Sequence, residues 1–164
     1  MKYQDIFLDE LVNEVIPFWE SFSIDKSNGG FFTCIDDNNK VFDTDKFIWL
    51  QARQVWMFAT LFEQVDDKKE WLELSQNGAE FLEKFGHDGS YNWYFSVTKN
   101  GKPLISPYNI FSYTFSCMAF GKLFRITNNE FYKKISLETL NKIQERSSNP
   151  KDKWNKSISG TRDL

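Results

Sequence analysis

One histidine, two cysteines and four prolines are all that 164 residues hold of the types that build metal centres, disulfide frameworks and broken helices. His87, Cys34 and Cys117 lie far apart in the chain and cannot fill the three or four N and S ligands of a zinc site, so no metal is expected. The two cysteines sit among apolar neighbours and read as free, buried thiols of a reducing cytosol. No apolar run reaches membrane-spanning length and no charged-then-apolar leader opens the chain, so the expectation is a cytoplasmic protein without a membrane partner. Positive charge is also scarce: 20 Lys and Arg against 23 Asp and Glu give a net charge of -3, without the basic footprint that nucleic acid demands. Gly29-Gly30 precedes a strand pattern instead of opening a helix, which excludes a phosphate loop.

Aromatic residues are abundant, at 18% with 17 Phe and 6 Trp. An excess of that size suits a tightly packed helical array or an aromatic-lined cleft. The densest stretch runs from Lys46 to Phe62 and contains neither Gly nor Pro. Ile48, Ala52, Val55, Ala59 and Phe62 recur at three- and four-residue steps, beside a second apolar row of Phe47, Leu50, Met57, Phe58 and Leu61. A helix apolar on nearly every side is buried on nearly every side. Between the rows, Trp49, Arg53 and Trp56 share one face. Arg53 is then either a structural arginine held by a salt bridge or by the indoles, or a cation facing a polar cavity with the tryptophans as walls.

In chain order, Tyr3 to Phe22 reads as one amphipathic helix with Pro17 disturbing its last turn. Asp25 to Gly30 breaks it, and Phe31–Ile35 with Val41–Phe42 around Asp36–Lys40 forms a hairpin. Asp43-Thr-Asp45 offers an N-cap to the Lys46–Phe62 helix, which ends near Val65. Asp66-Asp67 can cap a third helix running to about Phe85, with Gly78 inside it. Gly86–Ser90 follows, with His87 as a solvated loop residue. A second hairpin then pairs Tyr94–Val97 with Pro103–Leu104 around Asn100-Gly101. Ser106-Pro107 looks like a cap and first turn for a fourth helix, Pro107 to Arg125. A fifth spans about Asn129 to Arg146, and a polar tail with Lys151, Lys153 and Lys156 reads as a solvated loop.

The hairpins and the apolar helices behind them repeat. Phe32-Thr33 matches Phe95-Ser96, Val41 matches Leu104 and Ile48 matches Phe111, all 63 positions apart. The unit is outer helix, hairpin, inner helix, and no unit can bury its inner face alone. About two and a half units are present, so an apolar face is expected to lack a neighbour, as in a fragment of a longer array. The acidic pairs Asp36-Asp37, Asp43/Asp45 and Asp66-Asp67 are assigned to turns and caps, not catalysis.

The run Gly29-Gly-Phe-Phe-Thr-Cys-Ile-Asp36, followed by Val41-Phe-Asp-Thr-Asp-Lys-Phe-Ile-Trp-Leu-Gln-Ala-Arg-Gln-Val-Trp-Met57, resembles the N-acylglucosamine 2-epimerase family, which includes the renin-binding protein. Phe81-Leu82, Tyr94-Phe-Ser96, Gly101-Lys-Pro-Leu104 and Ile110-Phe-Ser112 extend the resemblance in the same order. It implies an all-α (α/α)6 toroid with short β-hairpins, of which residues 1–164 would be the N-terminal part of a single barrel domain. The implied reaction interconverts N-acetylglucosamine and N-acetylmannosamine by removing and returning the proton at C2. A related aldose–ketose isomerase, or an inactive sugar- or protein-binding relative, is the alternative. A purely structural helical scaffold is the third class, disfavoured by an arginine between indoles.

By the same resemblance Arg53 is catalytic, steadying enolate-like charge, and Trp49, Arg53, Phe111 and Ser112 bind substrate. Ala52 stands where the family usually has glycine. The family's acid–base histidines lie on later inner helices, so this chain by itself is expected to be inactive. No cofactor is required. The partner is a small-molecule sugar, with room for a nucleotide effector and a homodimer.

Overall fold

The glycine-free apolar run does form the central helix, and a buried lysine fixes where it begins. The computed structural model describes residues 3–107 and 109–147, so the expectations for Lys151, Lys153 and Lys156 lie outside the described residues. In chain order the elements are α1 (Tyr3–Glu10), a π-helical turn (Leu11–Val15), α2 (Ile16–Phe22), β1 (Cys34–Ile35), β2 (Val41–Asp43) and β3 (Lys46–Phe47). Then come α3 (Ile48–Gln64), α4 (Lys69–Phe85), β4 (Ser96–Val97), β5 (Pro103–Ile105), α5 (Phe111–Thr127) and α6 (Glu130–Ser147). Helix α3 packs against α4 and α5, and α5 packs against α6.

Three expected helix starts move, each for a backbone reason. Lys46 and Phe47 are drawn into β3, and the Ile48 N–H bonds to the Phe95 carbonyl, so the sheet satisfies the first amide of α3. Asp43 therefore caps nothing on that helix; its carboxylate accepts the Asp45 N–H. The Asp66 N–H closes the end of α3 on the Leu61 carbonyl, and α4 begins at Lys69 without a side-chain cap. In α5, Asn109 Oδ1 accepts the Phe111 N–H, so the helix starts there and not at Pro107. The N-terminal helix also differs. Pro17 has no N–H to give, and the Ile16 N–H reaches back to the Leu11 carbonyl, producing the π-helical turn between α1 and α2.

The repeat is present with a shorter period than residue matching gave. Cys34 pairs with Asp43 and Ile35 with Val41; Ser96 pairs with Ile105 and Val97 with Pro103, each partner 62 positions on and each hairpin bulged at the same place. On the inner helices, buried Gln51, Ala52, Val55, Phe58 and Ala59 correspond to buried Ser112, Tyr113, Ser116, Ala119 and Phe120, 61 positions on. Burial register, not residue type, defines the equivalence. Strand β3 pairs with β4, so the first unit is hydrogen-bonded to the second.

Lys46 is fully buried. Its Nζ lies 2.8 Å from Asp25 Oδ2, donates to the Gly29 and Lys99 carbonyls, and sits 4.3 Å from the centre of the Phe81 ring. Burial works to raise the Asp25 carboxyl, but bonds from Lys46 and Asn28 outweigh it and hold Asp25 below the usual carboxylate range. Gln51 takes both backbone groups of Phe31, accepting its N–H at 2.8 Å and donating to its carbonyl at 2.7 Å. The Phe31 ring then fills the space over Gly78, where a Cβ would come within 2.4 Å of it. That close approach is why α4 carries a glycine in mid-helix.

His87 is half-buried, not solvated. Its ring packs 4.8 Å from both Tyr91 and Trp93, and its Nδ1 accepts the Gly89 N–H at 3.0 Å. Burial pushes its pKa down, against the opposing pull of Glu83 and Asp88. Cys34 and Cys117 are free and half-buried. Among the described residues no helix is long and apolar enough to cross a membrane, and no group of three His, Cys, Asp or Glu could hold a metal. Helix α1 buries nothing: Tyr3 is 81% and Phe7 66% exposed. Phe111 and Met118 on α5 and Leu137 on α6 are also exposed.

Lys46→Met should cost about 3–5 kcal/mol in urea unfolding, because it strands a buried carboxylate. A loss below about 1 kcal/mol would mean that Asp25 is already satisfied by the turn. His87 is held neutral by the fold, so the unfolded chain takes up the proton first as pH falls. Its contribution is present above the ordinary value of 6.5 and is lost below it. Melting temperature should therefore drop between pH 7 and 5, less steeply in His87→Phe; parallel curves would contradict this. The exposed apolar faces should bind a hydrophobic dye or drive association at micromolar concentration. A dye-silent, monodisperse monomer in light scattering would count against it.

Candidate functional site

Helical spacing puts Trp49, Arg53 and Trp56 on one face of α3, and that face is the part of the helix left open. Arg53 is exposed, and among the described residues no carboxylate pairs with it. Glu63, one candidate on the same helix, is taken by Lys122 and Arg125 of α5, both at 2.7 Å. The Arg53 guanidinium carbon lies 5.6 Å from the Trp49 ring centre and 5.4 Å from that of Phe115 on α5. The two rings are themselves 6.2 Å apart. Cation–π attraction therefore supplies the contacts of this charge, and its N–H edges remain free to donate.

Arg146 shows what the structural alternative looks like in this fold. It is buried, it stacks 4.5 Å from the centre of the Tyr113 ring, and it donates to the Asn109 carbonyl at 2.7 Å. Burial pushes the Tyr113 hydroxyl up to about 12, against the pull of Arg146. Arg53 has neither the burial nor the carbonyl. Of the structural reading of Arg53, the salt bridge finds no partner among the described residues and the indole contact is present at Trp49; of the cavity-facing reading, the guanidinium is exposed and lines a cleft.

On its other side Arg53 borders a cleft of about 400 Å³ lined by Trp19, Thr33, Leu50, Arg53, Gln54, Trp56 and Met57. Trp19 comes from α2, Thr33 from the first hairpin and the rest from α3. Behind the lining, the Ser23 hydroxyl gives its one proton to the Trp19 carbonyl and lies 3.3 Å from the Gln54 amide, whose side chain contributes a polar group to the cleft wall. Apolar and indole walls with an arginine and an amide resemble the usual make-up of a small-molecule site.

The other two residues named for substrate lie elsewhere. Ser112 is buried in α5 with its hydroxyl unpaired among the described residues, and Phe111 is 54% exposed at the helix start. Neither lines the cleft beside Arg53. Phe115 is the α5 residue that reaches Arg53. Sequence reading missed it because the 63-residue period paired it with no residue of the Arg53 face. His87, between Tyr91 and Trp93, lies among none of these groups.

Comparison with known proteins agrees with the resemblance. The model of the N-acylglucosamine 2-epimerase (GlcNAc 2-epimerase) family matches residues 30–163. N-acylglucosamine 2-epimerase of Bos taurus is 34% identical over 136 residues, covering 80% of this chain and 32% of its own length. Cellobiose 2-epimerase of Eubacterium cellulosolvens is 26% identical over 129 residues, covering 76% and 31%. A sugar epimerase from a ruminal bacterium superposes with a TM-score of 0.80 at 21% identity, over 87% of this chain and 36% of that one. Cellobiose 2-epimerase from Bacillus thermoamylovorans gives 0.75 at 24% identity, over 85% and 37%. The chain thus spans about a third of the length of the curated relatives it matches, and its fold is a portion of an (α/α)6 barrel. It belongs to the N-acylglucosamine 2-epimerase family.

Proposed function

We propose that this chain supplies the arginine-bearing wall of a carbohydrate 2-epimerase site, acting on N-acetylglucosamine and N-acetylmannosamine. The observation that carries the reading is Arg53: an exposed guanidinium on the one open face of α3, with two aromatic rings beside it and no carboxylate paired with it among the described residues. Epimerisation at C2 passes through an enolate-like species whose charge develops on the carbonyl oxygen. A guanidinium whose N–H groups are uncommitted can stabilise that oxygen without first breaking an ion pair. The names of relatives support the substrate class, N-acylglucosamine at the higher identities and cellobiose at the lower.

Removal and return of one proton is acid–base work and requires no metal or cofactor. The single histidine of the sequence packs between Tyr91 and Trp93 and does not line the cleft beside Arg53, so the base and acid are assigned to other residues. Free thiols at Cys34 and Cys117 support a reducing, cytoplasmic location. Aldose–ketose isomerisation shares the same enolate chemistry and is the second reading; a D-mannose isomerase superposes with a TM-score of 0.76.

Arg53→Ala should change the stability of the chain by no more than about 1 kcal/mol, the worth of exposed cation–π contacts. In an epimerase that includes this chain, it should lower turnover of N-acetylmannosamine on the order of a hundredfold, as loss of one charge-stabilising donor does. Melting temperature and C2 deuterium exchange in heavy water measure both. A large loss of stability with normal exchange would remove Arg53 from the site.

A further inference from the structure

We infer that Phe115 is a positioning residue for Arg53, so that the orientation of the first unit's guanidinium is set by the second unit. The inference rests on the reading of Arg53 given above and extends it to a residue on another helix. Arg53 leaves α3 on a long, flexible stem, and a side chain of that kind loses considerable rotamer freedom when it is fixed. Arg146, the buried arginine among the described residues, donates to a backbone carbonyl, that of Asn109. Among the described residues Arg53 has no hydrogen bond or ion pair, and what holds it is two rings at nearly equal distance, 5.6 Å for Trp49 and 5.4 Å for Phe115.

The two rings do different things. Trp49 lies one turn before Arg53 on the same helix and would follow any rotation of that side chain's backbone. Phe115 comes from α5, and its half-buried ring lies 6.2 Å from Trp49 at an interplanar angle of 39°. Three groups spaced at 5.4, 5.6 and 6.2 Å form a near-equilateral triangle, so the cation sits over the seam between two π faces. A contact with one ring leaves the guanidinium free to slide around it; contact with two, on separate helices, selects one direction. Neither contact commits an N–H group to an ion pair or a backbone carbonyl, so the N–H groups stay available to an oxyanion. Phe115 thereby contributes to charge stabilisation without touching the reacting atoms.

The test uses the chain with ¹⁵N-labelled arginine and follows the Arg53 side-chain Nε–Hε signal, assigned by its loss in Arg53→Lys. The native signal should carry a ring-current shift and reduced mobility. Phe115→Leu keeps the apolar bulk and removes the ring; it should abolish the shift and raise the mobility while melting temperature stays near native. Phe115→Trp should restore both. N-acetylmannosamine is then titrated into each variant, and Phe115→Leu should weaken its apparent affinity about two- to fivefold, with rescue by Phe115→Trp. An Arg53 signal unchanged in Phe115→Leu overturns the inference. If that signal changes as expected but N-acetylmannosamine moves it in no variant, positioning by Phe115 stands and the sugar assignment at Arg53 fails. Should Phe115→Leu unfold, Phe115→Met provides the same comparison with a flexible, non-aromatic side chain.

Discussion

The fold depends on a buried lysine. Lys46 sits where the first hairpin turns into α3, and its ammonium is shared between the Asp25 carboxylate, the Gly29 carbonyl and the Lys99 carbonyl. Those partners come from the loop before the first hairpin and the turn of the second, so one charge joins segments more than fifty residues apart. Removing an ammonium from water is expensive, and the cost is recovered only when every donor finds an acceptor. Here three acceptors and the face of Phe81 surround it. The same residue pairs with Val97 through its backbone, which places β3 beside β4 and aligns the two units.

From that node outward, the unit repeats because its packing problem repeats. Each hairpin carries a bulge at the same place and delivers its inner helix in the same burial register. The first inner helix can therefore meet the second along its length, with Glu63 tied to Lys122 and Arg125 at one end and Trp49 against Phe115 nearer the other. Arg53 stands between the rings on the side that neither α4 nor the core covers. A cation can remain exposed on a helix this apolar because the array leaves one stripe of it open.

The curated relatives that the chain resembles are about two and a half times its length. The inner helix α5 exposes Phe111 and Met118. The histidine of the chain is a packing residue between Tyr91 and Trp93, while the arginine is free, and burial separates the two roles.

Much of this was legible in the sequence. Spacing of apolar residues gave the helices, the Asn100-Gly101 turn gave the second hairpin, and the motif around Arg53 gave the family, because these depend on neighbours within one or two turns. Asp43, Asp66 and Ser106 have the chemistry of caps, but the first amides of α3 and α5 are satisfied by Phe95 and Asn109, and α4 begins at Lys69 without a side-chain cap. The period of the repeat was misread for a similar reason: residue type matched Phe32 to Phe95, whereas pairing matched Cys34 to Ser96. Phe115 could not be found at all. Its contact with Arg53 is made across an interface, between residues 62 positions apart, and only the packing of α3 on α5 brings the ring to the cation. The sequence by itself determined which face of each helix is apolar and which residues could carry charge. Tertiary structure decided which charges are buried and paired, as Lys46 is, and which are left free, as Arg53 is, because that depends on what the rest of the chain places beside them.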